Sequence, residues 1–158
     1  MDFEDQNGDL DGRGTGNERV YIDNVGYKAN GQTVTVPLES TIYYRAYFAE
    51  GSGLYGPKLS KYVDSNVSVL LVQFRTITFE IVAPVTHNPV SGAQVYVDNV
   101  GYVANGGSIV VPAGCTVYHK ANLGSTWAAK TSKDVDGAWS KCTYQWDGAV
   151  FSEPSYRP

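Results

Sequence analysis

Val20-Tyr-Ile-Asp-Asn-Val-Gly-Tyr-Lys-Ala-Asn-Gly31 returns 75 residues later as Val95-Tyr-Val-Asp-Asn-Val-Gly-Tyr-Val-Ala-Asn-Gly106. Carried on to Ala46 and Ala121, the two stretches share 15 identities in 27 aligned pairs, where unrelated sequences would share about two. Most mismatches are conservative, among them Ile22/Val97, Thr33/Ser108, Ile42/Val117 and Arg45/Lys120. Beyond Ala46 the offset becomes 72, laying Val67-Ser-Val-Leu-Leu-Val-Gln-Phe74 over Trp139-Ser-Lys-Cys-Thr-Tyr-Gln-Trp146. The second copy is therefore three residues shorter in the loop after its long strand, a change that loops absorb at little cost. The chain is an internal tandem repeat.

Side-chain parity gives the secondary structure. In Thr41–Phe48, Ile42, Tyr44, Ala46 and Phe48 share one face and Thr41, Tyr43, Arg45 and Tyr47 the other. The second copy places Val117, His119, Ala121 and Leu123 on the face matching the first set. In the last strand of each copy the apolar face holds Leu70, Val72 and Phe74, matched by Cys142, Tyr144 and Trp146. This period of two is the mark of half-buried antiparallel strands. Asn30-Gly31 and Asn105-Gly106-Gly107 predict hairpin turns, because Asn and Gly tolerate positive φ, and Pro37 and Pro112 close the strands that follow. No stretch carries a helical period of 3.6. The reading is all-β: two small antiparallel β-sandwich modules in tandem.

The copies differ at their starts. Thr76-Ile-Thr-Phe-Glu-Ile-Val-Ala83 is a clean strand ahead of copy two, whereas Met1–Gly8 ahead of copy one is acidic and turn-rich. Copy one is therefore expected to lack its own first strand, leaving an edge that proteins normally cover. Another chain, or the tail Gly148–Pro158, is the expected donor. The organisation is an acidic, Gly-rich arm at 1–19, repeat 1 at 20–75, repeat 2 at 76–150 and a tail at 151–158.

Charge sharpens the picture. Residues 1–19 hold Asp2, Glu4, Asp5, Asp9, Asp11 and Glu18 against Arg13 and Arg19, so the whole net charge of −4 sits there and the remainder is neutral. A neutral body behind an acidic arm offers no clustered Lys/Arg for phosphates, which argues against nucleic acid. Met1 is followed by polar, acidic residues rather than a basic patch and an apolar run, so no signal peptide is expected. No window approaches 18 apolar residues, so no membrane span is expected.

The series Val-Tyr-Val-Asp-Asn…Gly…Val-Val-Pro-Ala-Gly-Cys-Thr-Val-Tyr-His-Lys-Ala in copy two resembles PEGA-type and related Ig-like modules. There a Val-x-Val-Asp strand is followed by a turn, a Pro-x-Gly corner and a Thr-Val-Tyr strand. The resemblance spans about 20–74 and 76–146; copy one departs from it at Leu38-Glu39, where Ala-Gly is expected. It implies two Ig-like sandwiches of the kind found in bacterial surface proteins and, often in tandem, in bacteriophage virion proteins such as capsid decoration proteins, head fibres and tail fibres. A short chain made of little else is more similar to the phage group, by fold-level analogy. The expected location is then the virion, assembled in the host cytoplasm.

Candidate sites are few. On the calcium-loop template Asn7, Asp9 and Asp11 fall at positions 1, 3 and 5, Gly12 at 6 and Glu18 at 12, alternating carboxylates around a sharp turn as a hard cation requires. Asn at position 1, Gly at position 8 and the lack of flanking helices favour a flexible acidic arm instead, so no metal is assigned. Cys115 and Cys142 both point inward by parity, which allows either a disulfide across the sandwich or two buried thiols; the missing leader favours thiols. His87 lies in a turn and His119 replaces Tyr44 on the inner face, neither at metal-ligand spacing. No hydrolase elbow, zincin helix, phosphate loop or dinucleotide fingerprint occurs, so neither an enzyme nor a cofactor is expected.

The aromatic surplus is more suggestive, with 12 Tyr in 158 residues. Tyr43 and Tyr47 fall on the outer face of copy one's long strand, Tyr118 on that of copy two, and Trp127 in a loop. Aromatic groups beyond what a core needs mark contact surfaces for protein or for sugar rings, or else pair across strands and stiffen the sheet. The expectation is a non-enzymatic structural protein of a phage virion, acting through protein–protein contacts with capsid or tail proteins and with its own copies. The alternative is a carbohydrate- or surface-binding adhesin module using Tyr43, Tyr47, Tyr118 and Trp127.

Overall fold

The computed structural model describes residues 2–5, 16–64, 69–136 and 139–158. The chain is all-β. Its first half holds β1 (Asp2–Asp5), β2 (Arg19–Ile22), β3 (Gly26–Ala29), β4 (Ser40–Tyr47), β5 (Leu59–Val63) and β6 (Val69–Val72). Its second holds β7 (Phe74–Val82), β8 (Gln94–Val97), β9 (Gly101–Ala104), β10 (Ser108–Pro112), β11 (Thr116–Leu123), β12 (Thr126–Trp127), β13 (Thr131–Asp134), β14 (Lys141–Gln145) and β15 (Ser155–Arg157). Contacts divide the chain into two compact units: residues 1–75 with Val110–Cys115, and residues 76–109 with 116–158. The repeat boundary at 75/76 is thus also a unit boundary, and Val110–Cys115 is the stretch of the second copy that belongs to the first unit.

In the first unit the antiparallel sheet runs β3-β2-β4-β5, with Tyr21 opposite Tyr27 on one side and Arg45 on the other. The alternation predicted for the long strand holds: Ile42, Tyr44, Ala46 and Phe48 are buried, and the first three pack with Val20, Ile22, Val63, Val72, Phe74 and Val110. Ala113 N–H donates to the Gln73 carbonyl at 3.0 Å, fixing the segment that brings Val110 in. Burial of about ten such side chains, each worth roughly 1.5–3 kcal/mol, is what holds the unit.

The second unit repeats the plan. Its sheet runs β12-β11-β8-β9 with β13 also on β11, and Tyr96 lies between Tyr102 and Lys120 as Tyr21 lies between Tyr27 and Arg45. The second sheet runs β10-β7-β14-β15, and Phe79, Ile81, Val95, Val97, Val117, Cys142 and Tyr144 are fully buried. The three-residue difference is visible in the pairing. Tyr47 bridges Tyr55 in copy one, and Asn122 pairs Trp127 in copy two, five residues on rather than eight. At the first turn of each copy Asn24 and Asn99 take φ of 67° and 69°, followed by Gly26 and Gly101, both at 111°. These left-handed positions explain why Asp-Asn-Val-Gly recurs unchanged.

Three expectations are corrected. Copy one does not lack its first strand: β1 runs parallel to β6, with Phe3 opposite Leu70, the register in which Phe79 stands opposite Cys142 on β14. Acidic composition hid this strand, because a ladder is made by backbone groups that every residue but Pro supplies. Nor does the tail complete copy one. β15 pairs antiparallel with β14 of the second copy, Tyr156 facing Cys142. Trp127, expected in a loop, lies in the short β12.

Candidate contact faces

The outer face of each sheet carries a cluster of rings and one cation. In the first unit Tyr27 sits 4.9 Å from Tyr21 and 5.2 Å from Tyr47, edge to face, and Tyr47 sits 5.2 Å from Tyr55. The Arg45 guanidinium lies over the Tyr55 ring at 5.1 Å. The Tyr27 hydroxyl accepts from Gly51 N–H at 3.0 Å, tying the long loop to the cluster. In the second unit Tyr96 and Tyr102 lie 5.1 Å apart, Tyr102 and Trp127 6.3 Å, and Lys120 Nζ stands 4.3 Å above the Trp127 ring. At the sheet margin Lys58 pairs Asp23 and Lys130 pairs Asp98, both at 2.8 Å. Most of these groups have a counterpart at the repeat-related position in the other unit, Tyr55 and Trp127 being related by the offset of 72, whereas Tyr47 is replaced by the buried Asn122.

The four residues singled out from sequence divide accordingly. Trp127 is central to the second cluster and Tyr47 to the first, where it is half-buried among rings rather than open. Tyr43 and Tyr118 are each 47% exposed and pair Ser60 and Ser132 in equivalent registers. Sequence reasoning missed Tyr21, Tyr27, Tyr55, Tyr96 and Tyr102, and the cations Arg45 and Lys120. Part of the signal was present: Tyr21 and Tyr96 alternate with the buried Val20/Ile22 and Val95/Val97, and Tyr21/Tyr96 and Tyr27/Tyr102 recur between copies.

That recurrence separates the two faces of the sheet. Outward Tyr21/Tyr96, Tyr27/Tyr102, Thr41/Thr116 and Tyr43/Tyr118 are identical and Arg45/Lys120 keeps its charge, while Arg19/Gln94 and Tyr47/Asn122 have changed. Inward Ile22/Val97, Ile42/Val117, Tyr44/His119, Phe48/Leu123 and Val72/Tyr144 have all changed, although Val20/Val95 and Ala46/Ala121 persist. Exposed positions without a role change at little cost in stability, and four of these outward pairs are nevertheless unchanged.

Two chemistry-bearing groups elsewhere, His119 and Cys142, are closed off from solvent. His119 is fully buried, its Nδ1 2.6 Å from the Tyr144 hydroxyl and its Nε2 2.8 Å from that of Tyr156. Burial pushes its pKa down to about 4 and pushes the Cys142 thiol up to about 12, so at neutral pH one is uncharged and the other is no thiolate. Cys115 and Cys142 are both buried and unbridged. His87 lies exposed in its turn at φ 59°. Beside the Tyr144–Tyr156 pair lies a cleft of about 390 Å³, walled by Phe151, Pro154 and the 128–131 stretch.

Asn7, Asp9, Asp11 and Gly12 of the calcium template lie outside the described residues. Glu18, its last position, is buried and accepts from Gly16 N–H at 3.1 Å. Among the described residues no three His, Cys, Asp or Glu side chains come together as a metal would need. Searches of protein-family models, of curated proteins and of solved structures found no match to this chain.

Proposed function

We propose that this chain is a non-enzymatic structural protein of a phage virion, a capsid decoration or head- or tail-fibre component, that holds on through its two outer aromatic faces. The observation that carries the reading is the duplication of those faces. Two copies of one contact surface on a chain suit a partner that also presents its surface repeatedly, as a symmetric protein lattice does. Two weak contacts joined in this way gain affinity by effective concentration. Rings with an attendant cation, here Tyr55 with Arg45 and Trp127 with Lys120, have the composition of protein–protein contact cores, which are enriched in Tyr, Trp and Arg. The Ig-like sandwiches act as rigid spacers between these points.

The test is proteomic and then biochemical. Particles purified from the phage carrying this gene should contain the chain in many copies. Purified chain should rebind particles assembled without it, and the double variant Tyr55→Ala/Trp127→Ala should not. Absence of the chain from purified particles overturns the reading. A second reading, a carbohydrate-binding adhesin, is favoured by the openness of one cluster, where Tyr102 and Trp127 are 58% and 42% exposed. Binding to a glycan array, lost in Trp127→Ala, would select it.

A further inference from the structure

We propose that the C-terminal strand is an acid-released latch: Tyr156 plugs a buried socket formed by His119 and Tyr144, and acidification expels it and frees the outer edge of β14. This goes beyond the contact reading above and uses none of its residues.

The socket is specific to the unit that has a tail. Tyr44 and Val72 stand in copy one where His119 and Tyr144 stand in copy two, so the polar pair and its plug occur together. Both ring nitrogens of His119 are engaged by phenols. A neutral imidazole, one donor and one acceptor, satisfies two hydroxyls without any charge. A protonated ring would be a buried cation.

Among the described residues nothing packed around the socket would compensate that charge. From β14 it is flanked by Cys142 and Tyr144 and from β15 by Tyr156. From β7 comes the Phe79 ring, 5.3 Å away. On β8 its ladder partner is Val97, while the adjacent Asp98 is turned to Lys130. On β13 the partner is Thr131, and the Lys133 ammonium lies 5.5 Å from the Tyr156 ring. Opening the tail hydrates the imidazole and relieves the burial.

A second acid-labile tie holds the outside of the same strand. Glu80 accepts from Arg157 at 2.9 Å and from Thr143 Oγ1 at 2.7 Å, and its other oxygen is 3.1 Å from Lys141 Nζ. Burial alone would raise this carboxyl, but the Thr143 and Lys141 hydrogen bonds and the Lys141 and Arg157 charges hold it below its usual range. The strand's own ladder runs from Thr143/Ser155 to Lys141/Arg157, and the chain leading into it is held separately by the Trp146–Phe151 bridge and the Ser152 N–H to Gln145 carbonyl bond. The cleft of about 390 Å³ lies against Tyr156 and Pro154 of the tail.

The signs agree. His119 has a lowered pKa while the latch is shut and an ordinary one when it opens, so the open form binds more protons between about pH 6.5 and 4. The latch is complete above that window and weakens as pH falls through it, by roughly 300-fold at most. Glu80 adds to the loss below the ordinary carboxylate range. The freed edge of β14 offers unpaired backbone groups for strand addition.

The experiment is amide hydrogen exchange on the full chain from pH 7.5 to 4.5, corrected for intrinsic rates. Protection at residues 155–157 should fall ten- to a hundredfold across the histidine range while β8 and β11 keep theirs. In His119→Gln that fall should vanish above pH 5. Unchanged protection, loss shared by β8 and β11, or an unaltered midpoint in His119→Gln would each overturn the latch. Should His119→Gln fail to fold, Glu80→Gln decides: a fall that persists above pH 5 supports the histidine, and its disappearance refutes it.

Discussion

The Lys120 ammonium stands 4.3 Å above the Trp127 ring, and its repeat counterpart Arg45 stands 5.1 Å above Tyr55. Exposed cation–π pairs contribute only about 0.5–1 kcal/mol. Trp127→Ala should therefore cost little stability, about 1 kcal/mol in urea unfolding, and leave the strand spectrum intact. If the face is a contact surface, the same change should cut binding to particles at least tenfold. A variant that unfolds, or one that binds normally, separates a stiffening role from a contact role.

Cys142 makes a chemical prediction. Its thiol is fully buried and pushed up to about 12, so a disulfide reagent such as DTNB should not modify it in the folded chain at pH 8. Both thiols should react promptly in denaturant. Two thiols per chain titrated under denaturing conditions without reductant would confirm the unbridged state. Fewer would mean that the bridge forms in solution.

Much of the fold was legible because parity and repetition are statements about backbone geometry. Ile42, Tyr44, Ala46 and Phe48 are buried as the alternation required. The change of offset from 75 to 72 falls between the Tyr47–Tyr55 and Asn122–Trp127 pairs. β1 was not legible, because Asp2–Asp5 has the composition of an arm and strand pairing asks nothing of side-chain polarity. The outer aromatic faces were half legible. Tyr43 and Tyr118 announced themselves on a long strand, whereas Tyr21 and Tyr27 lie on strands of four residues, too short for an outer face to stand out. The joining of Tyr156 to His119 spans 37 residues and two sheets, and no local pattern records such a contact.

The pairing of β1 with β6 predicts the effect of a deletion. Removing residues 1–5 strips β6 of the partner with which Asp2–Asp5 pairs Val69–Val72. Amide protection at 69–72 should then drop to that of an open strand edge, while protection at 141–145, paired to β7 and β15, should not change. The shortened chain should also self-associate more readily, since it exposes an unpaired edge. Undiminished protection at 69–72 would show that β1 contributes nothing to that edge.

Asn105 offers a sharper test, since its side chain does the work of a strand. Its Oδ1 accepts from Ile81 N–H at 2.7 Å, and its Nδ2 donates to the Ile81 and Val90 carbonyls at 2.8 and 3.1 Å. Ile81 is fully buried, so Asn105→Ala leaves its N–H without a partner, whereas its carbonyl keeps Val90 N–H at 3.0 Å. Orphaning a buried donor costs about 1–3 kcal/mol, and the urea midpoint should fall accordingly with no change in the denaturant slope. Asn105→Asp isolates the donor half of the interaction. Its carboxylate still accepts from Ile81 but faces two carbonyl oxygens, which favour the protonated acid and raise its folded-state pKa. The penalty relative to the parent chain should therefore be large at pH 7 and shrink as pH falls through that raised value. Equal penalties at pH 7 and pH 4.5 would mean that the Nδ2 donor bonds contribute nothing.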